Sequence, residues 1–271
     1  QRIFKNKMIK KYLVIGNPIK HSLSPKLHNF WIKNNNINAI YEKKKINKDE
    51  LANLISEIKK NNIHGINVTV PFKKAVIPHL DSLSLESKNT QSVNTIYLNN
   101  NKVIGHNTDI EGFARSIEIF KSSIINKKVL ILGAGGVVPS IIFALNKMKV
   151  SQITVSNRTK SNAENLKDLF KNIKIVDWGK FPMFDMIINA TSIGLKNSDK
   201  INIDISKIGK NKIFYDVIYK PNETNFLKTG KKLGHKIKNG KMMFIYQAFA
   251  AFKVWHGIKP KVNKEIIRIL D

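Results

Sequence analysis

The chain has 271 residues, 42% of them hydrophobic, enough for two ordinary domain cores. It contains no cysteine, which excludes disulfides, thiolate nucleophiles and cysteine-ligated metals. Lysine and arginine together number 47 against 19 acidic residues, a formal charge of +28, yet only Arg2, Arg115, Arg158 and Arg268 are arginines and the lysines run along the whole chain, unlike the focused arginine-rich face of a nucleic-acid reader. The dispersed charge therefore reads as surface bias, and no specific nucleic-acid partner is expected. The longest apolar run, residues 129–145, is interrupted by Gly133, Gly135, Gly136, Pro139 and Ser140 and falls short of the roughly 20 residues a membrane span needs. The basic N-terminus precedes an apolar stretch too short for a secretory signal, so a cytoplasmic protein is expected, with residues 1–7 read as an extension before a start at Met8.

Taken in order, residues 12–15 form a short apolar strand broken at Gly16-Asn17-Pro18. His21-Ser22-Leu23-Ser24-Pro25 follows, and Leu27, Phe30 and Trp31 recur at helical spacing. Ser24 is the expected N-cap with Pro25 at the first helical position, and hydroxyls at Ser22 and Ser24 beside a helix start would also suit a carboxylate. A strand at 39–43 and an amphipathic helix at 49–58 lead to a third strand, 65–70, stopped by Pro71. Its alternation sets Ile66, Val68 and Val70 on one face and Asn67 and Thr69 on the other. Polar residues on such a strand belong at its C-terminal end, where open α/β sheets bind ligands, and Lys73 stands just beyond. Residues 92–97 and 103–109, joined at Asn99-Asn100-Asn101, predict a hairpin that adds an antiparallel edge. Asp109 opens a helix running to about Phe120.

The pattern then changes to strand and helix in turn, with strands near 128–132, 152–156, 173–176, 185–189 and 213–217. The first ends in Gly133-Ala134-Gly135-Gly136, after which helical spacing starts at Val137. Glycines between a buried strand and a helix let backbone approach a ligand, and the helix N-terminus suits a pyrophosphate. The full fingerprint has a third glycine where this chain has Val138, so the turn alone leaves plain connection chemistry open. The second strand ends at Asn157-Arg158-Thr159, about 20 residues on, where an arginine accommodates the 2′-phosphate of NADP and an acid would read NAD. NADP(H) is the expected cofactor. Asn189-Ala-Thr-Ser192 leaves a buried strand in small polar residues, and a strongly apolar helix from Met242 to Trp255 carries Gln247, whose amide must find hydrogen bonds. No histidine stands at a metal-binding spacing, and no metal is expected.

Gly16-Asn-Pro-Ile-Lys-His-Ser-Leu-Ser-Pro25, Asn67-Val-Thr-Val-Pro-Phe-Lys73, Ser92-Val-Asn-Thr95, Asn107-Thr-Asp109, Gly133-Ala-Gly-Gly136, Asn157-Arg-Thr159, Asn189-Ala-Thr-Ser192, Asp216-Val-Ile-Tyr219 and Gly240 through Gln247 together resemble the shikimate dehydrogenase family. The resemblance runs from about Tyr12 to Pro260, in order. It implies reduction of 3-dehydroshikimate to shikimate with NADPH, by a monomer or homodimer. The fold it implies is α/β: a substrate domain with a mainly parallel sheet, residues 1–108 and 241–271, and a doubly wound Rossmann NADP domain, residues 109–240, with the C-terminal helices returning to the first domain. It further implies that Ser22 and Ser24 hold the substrate carboxylate, that Thr69, Asn94, Asp109 and Gln247 hold its hydroxyls, and that Lys73 with Asp109 transfers the proton. Gly133, Ala134, Gly135, Gly136, Val137, Asn157, Arg158 and Thr159 would hold the cofactor, with Val217, Tyr219 and Gly240 at its nicotinamide end. Two positions depart from the family: Asn162 replaces a frequent second basic residue, leaving the 2′-phosphate to Arg158 with Lys160 as a candidate helper, and Met242 replaces a glycine. The alternatives are an NAD-dependent quinate/shikimate dehydrogenase, against which Arg158 weighs, and a basic nucleic-acid binder with an inactive Rossmann fold.

Overall fold

A computed structural model describes residues 8–204 and 208–271. Residues 1–7, read above as an extension, lie outside the described residues. The chain forms two compact units, one of residues 1–108 with 248–271 and the other of residues 109–247, so the helix Lys241–His256 is shared between them.

The first unit is built on strands β1 (Lys10–Gly16), β2 (Ala39–Lys45), β3 (Gly65–Val68), β4 (Ser82–Leu83), β5 (Thr95–Asn99) and β6 (Lys102–His106). Their order is β2-β1-β3-β5-β6-β4, with β1 parallel to both β2 and β3 and the hairpin β5–β6 antiparallel. Asn100 and Asn101 both sit at positive φ, the geometry of a two-residue type I′ turn, which asparagine tolerates. The hairpin is not the sheet edge that the sequence suggests, because the two-residue β4 pairs in parallel outside β6. Leu13, Ile15, Ile66, Val68 and Ile96 pack on the helix Leu51–Lys59 through Leu51, Leu54, Ile55 and Ile58, burying the apolar stripe read from its spacing. The last segment of the chain completes this unit. Trp255 occupies the space that a Cβ on Gly65 would fill and donates its indole N–H to the Ile96 carbonyl at 3.0 Å, while the Trp31 indole donates to the Lys261 carbonyl at 3.0 Å.

The second unit holds β7 (Lys128–Leu132), β8 (Gln152–Ser156), β9 (Lys174–Val176), β10 (Met186–Asn189), β11 (Ile213–Asp216) and β12 (Lys236–Lys238), all parallel, in the order β12-β11-β10-β7-β8-β9. The chain winds outward from β7 to β8 and β9, then returns to β10 on the other side. Such a reversal leaves a crevice at the carboxyl ends of the two central strands. Val129 to Leu132 and all of β10 are buried, as expected of central parallel strands covered on both faces. Ile141, Ile142 and Leu145 of the helix Val138–Lys147 pack with Phe113 and Ile117 in the same core.

Candidate active site

In the first unit the expected substrate residues gather at one sheet edge. The register of β1 on β3 brings Gly16 beside Thr69, whose N–H donates to the Ile15 carbonyl at 2.9 Å. A Cβ on Gly16 would lie 2.5 Å from the Thr69 methyl, so glycine is what lets the Ser22 loop leave β1 against the end of β3. Lys73, half-buried in the short helix Phe72–Ala75, accepts the Val93 N–H on its carbonyl at 2.9 Å. The next residue, Asn94, accepts the Val68 N–H on its own carbonyl at 2.8 Å. These bonds hold the β3 end, the Lys73 turn and Asn94 as one patch.

Ser24 is not the N-cap expected from its spacing. It lies inside the helix Ser24–Asn34, buried, and the residue at the cap position is Leu23, whose side chain makes no cap bond. The hydroxyl that meets the first helical N–H is that of Ser22, which accepts from Ser24 at 3.3 Å. Ser24 instead bonds to Tyr41, whose phenol donates to Asn67 Oδ1 at 2.7 Å. Asn67 Nδ2 donates to the Asn94 carbonyl at 3.0 Å and to Thr95 Oγ1 at 3.1 Å. Asn94 in turn receives the Thr108 N–H on Oδ1 at 2.7 Å and gives Nδ2 to the Thr108 hydroxyl at 2.9 Å. A buried polar row therefore runs from Ser24 to Thr108, satisfying its own groups in low dielectric, where an unpaired member would be costly. Burial drives the Tyr41 phenol well above its ordinary pKa, so it stays protonated as a donor.

In the second unit, Asp109 is the buried first residue of the helix Asp109–Ser116. One turn on, Gly112 meets the helix Lys241–His256: a Cβ there would lie 2.8 Å from the Gln247 Cβ and 2.9 Å from its nitrogen. Asp109 and Gly112 share a helix face, so this close crossing turns that face toward the element that carries Gln247. Gln247 gives one N–H to the Phe244 carbonyl at 2.9 Å.

The expected cofactor residues follow β7, β8, β11 and β12 of the second sheet. Leu132 of β7 is in register with Ser156 of β8 and with Asn189 of β10, which pairs with Asp216 of β11. The ends of β7, β8, β10 and β11 thus open on one edge. Gly133 has φ +111°, and a Cβ on it would lie 2.7 Å from the Ala190 carbonyl oxygen, so no other residue fits the turn. Ala134 is half-buried, Gly135 and Gly136 are exposed, and Gly135 has open space where a Cβ would stand. Half-buried Val137 follows at the cap position of the helix Val138–Lys147, again without a side-chain cap. Bare backbone leading into an uncapped helix start fits a pyrophosphate.

Past β8, Asn157 Nδ2 folds back on the Thr159 carbonyl at 2.8 Å, and Arg158 and Thr159 are exposed. Lys160, the candidate helper, pairs with Asp177 at 3.0 Å; hydrogen bonding and attraction to that carboxylate raise its pKa. Past β11, Gly240 abuts Val217: a Cβ there would collide with the Val217 carbonyl oxygen, and the Gly240 N–H donates to the Ile218 carbonyl at 3.1 Å. Tyr219 stacks on Phe244 with ring centroids 4.8 Å apart, and burial raises its pKa. Val217, Tyr219 and Gly240 form one wall, three strand spacings or about 14 Å from the Arg158 loop. Among the described residues no three His, Asp or Glu side chains converge as a metal site would require.

Residues 14–96 match the domain family described as shikimate dehydrogenase substrate binding domain, and residues 116–206 match shikimate / quinate 5-dehydrogenase. The chain is 61% identical over 264 residues to the shikimate dehydrogenase (NADP(+)) of Pelagibacter ubique (strain HTCC1062), covering 97% of this chain and 100% of that relative. The chain belongs to the shikimate dehydrogenase family. Solved structures of the family share the fold over nearly the whole chain. That of the Aquifex aeolicus enzyme superposes with a TM-score of 0.89 at 36% identity, over 98% of each chain. That of the Thermus thermophilus enzyme, in complex with NADP(H) and shikimate, has a TM-score of 0.83 at 30% identity, covering 93% of this chain and 95% of that one.

Several residues that shape this family site were not legible as such. Tyr41, inside the strand read at 39–43, and Gly112, inside the helix opened by Asp109, belong to no motif that marks them. Asn189 and Asp216 stand in quoted motifs without an assigned role, and only the structure shows what their side chains hold.

Proposed function

We propose that this chain reduces 3-dehydroshikimate to shikimate with NADPH, and that the reverse reaction is its convenient assay. The observation that carries the reading is the shared carboxyl edge of β8, β7, β10 and β11, with the glycine turn at the central reversal and Arg158 one strand away. NADPH, when bound there, supplies the hydride. Gly133 to Val137 take its pyrophosphate on backbone and helix dipole, Asn157, Arg158 and Thr159 its adenosine 2′-phosphate, and Val217, Tyr219 and Gly240 its nicotinamide end.

Hydride arrival at a ketone builds negative charge on the oxygen, and the Lys73 ammonium stabilises that charge and supplies the proton. Asp109 is the second proton-transfer residue and holds a substrate hydroxyl with Thr69, Asn94 and Gln247. Ser22 and Ser24 take the carboxylate at a helix start whose dipole favours an anion. The reaction is proposed for the cytoplasm; none of the described helices is long and apolar enough to cross a membrane.

The test is reduced-nicotinamide absorbance with shikimate or quinate and NADP or NAD. Shikimate with NADP should be the fastest of the four pairs. Turnover confined to quinate with NAD would favour the quinate/shikimate alternative, and no turnover with any pair would overturn the reading.

A further inference from the structure

We infer that Asp216 is a positioning residue for the cofactor, fastening the loops that leave β10 and β11 into one wall. The inference rests on the reading of this edge as the NADP site. Asp216 ends β11 with no exposed surface, so it touches no ligand itself. Its Oδ1 accepts the Ile218 N–H at 3.0 Å and Asn189 Nδ2 at 3.1 Å, and its Oδ2 accepts the Thr224 hydroxyl at 2.7 Å.

Asn189 ends the neighbouring β10, also fully buried, and holds the other loop. Its Nδ2 also donates to the Ile193 carbonyl at 2.9 Å, while its Oδ1 accepts the Thr191 N–H at 3.1 Å and hydroxyl at 2.7 Å. The two loops also touch: a Cβ on Gly194, at φ +120°, would lie 3.2 Å from both Ile218 Cδ1 and Thr224 Cγ2. Gly240 holds the same residue through the next peptide, donating its N–H to the Ile218 carbonyl. Ile218 is therefore held at both its N–H and its C=O, and its neighbours Val217 and Tyr219 are the residues assigned to the nicotinamide. Burial raises the Asp216 pKa to about 6 against the three donors that lower it, leaving the carboxylate mostly ionised at neutral pH and short of alternative partners.

The experiment compares Asp216→Ala and Asp216→Asn by titrating NADPH with the protein's tryptophan fluorescence as readout, beside the Michaelis constants for shikimate. Asp216→Ala removes charged hydrogen bonds, and NADPH should bind roughly 10–100-fold more weakly, with the shikimate constant within about twofold. Asp216→Asn keeps an acceptor for Ile218 and Asn189, and the Thr224 hydroxyl can turn to accept, so binding should stay within about threefold. Equal weakening toward both ligands, unchanged NADPH binding in Asp216→Ala, or an Asn variant as impaired as the Ala variant would each overturn the inference. Should Asp216→Ala fail to fold, Thr224→Val removes the hydroxyl that donates to Asp216, together with the cap it gives the Leu227 N–H. That variant should weaken NADPH by roughly 3–10-fold, and unchanged binding in its folded form overturns the inference equally. A parent chain that binds no NADPH would sink the cofactor reading itself, whereas a binding parent with an indifferent Asp216→Ala sinks only the role of Asp216.

Discussion

Replacing His28 with leucine should stabilise the chain at neutral pH and flatten its sensitivity to acid. His28 is completely buried, stacked on Tyr41 with ring centroids 4.2 Å apart and planes 2° apart, and walled by Trp31, Phe252 and Trp255. Among the described residues, neither ring nitrogen has a hydrogen-bond partner. Burial, and then the neighbouring His256, lower its pKa from 6.5 to about 3, so the native ring is neutral and its one N–H is given to nothing. Removing such an orphaned donor relieves about 1–3 kcal/mol. The pH dependence follows from the same burial. Because the folded pKa is depressed, the contribution of His28 is complete above the unfolded value of 6.5 and is lost as pH falls toward about 3, where the unfolded chain takes up a proton that the native chain refuses. Between about pH 7 and pH 5 the linkage amounts to about 2 kcal/mol. His28→Leu should lose about 2 kcal/mol less than the parent over that interval. His256, also lowered by burial, keeps its own slope in both proteins. Urea unfolding at the two pH values, followed by the fluorescence of Trp31 and Trp255 beside the ring, measures the difference. A leucine variant that is less stable and retains the parent's pH slope would refute the reasoning.

Three further outcomes test the site. Lys73→Ala should cost roughly 10²–10⁴-fold in turnover with a much smaller effect on substrate binding; near-native turnover would remove Lys73 from the chemistry. Arg158→Ala should weaken NADPH by roughly 10–100-fold and barely alter NADH, because Lys160 is already engaged with Asp177; Michaelis constants at fixed ionic strength decide it. Ser24→Ala should raise the Michaelis constant for shikimate and lower stability by about 1 kcal/mol through the lost Tyr41 bond, since Ser24 caps nothing; a stability loss without a change in that constant would assign it a structural role only.

The alternation of strand and helix was readable because central parallel strands are buried on both faces and leave uninterrupted runs such as Val129 to Leu132. Ser82–Leu83 and Lys236–Lys238 escaped notice because two or three residues carry no period, and the second exposes a lysine at its start. The same limit hid the true edge of the first sheet. Among site residues, Lys73 and Arg158 stand out by chemical type against a motif, and Gly133 is demanded by its backbone angle. Ser24 misled because Ser-Pro before an apolar stripe is a strong cap signal, whereas the pull of Tyr41, distant in sequence, has no local trace. Tyr41, Asn67, Asn189 and Asp216 act through partners up to 28 residues away, beyond the reach of any local pattern.

The first unit is discontinuous in the chain, and this sets an order on its completion during synthesis. The strands of the first sheet are made before the second unit, but the space beside Gly65 and the acceptor for the Trp31 indole are supplied by Trp255 and Lys261, which follow the second unit in the chain. The second unit ends at residue 247 and can close before that segment arrives. Until then the β1–β3 face around Gly65 lacks its cover, exposed to solvent and to neighbouring chains while the whole second unit is made. Of these two sheets, the one made earlier is the one sealed later.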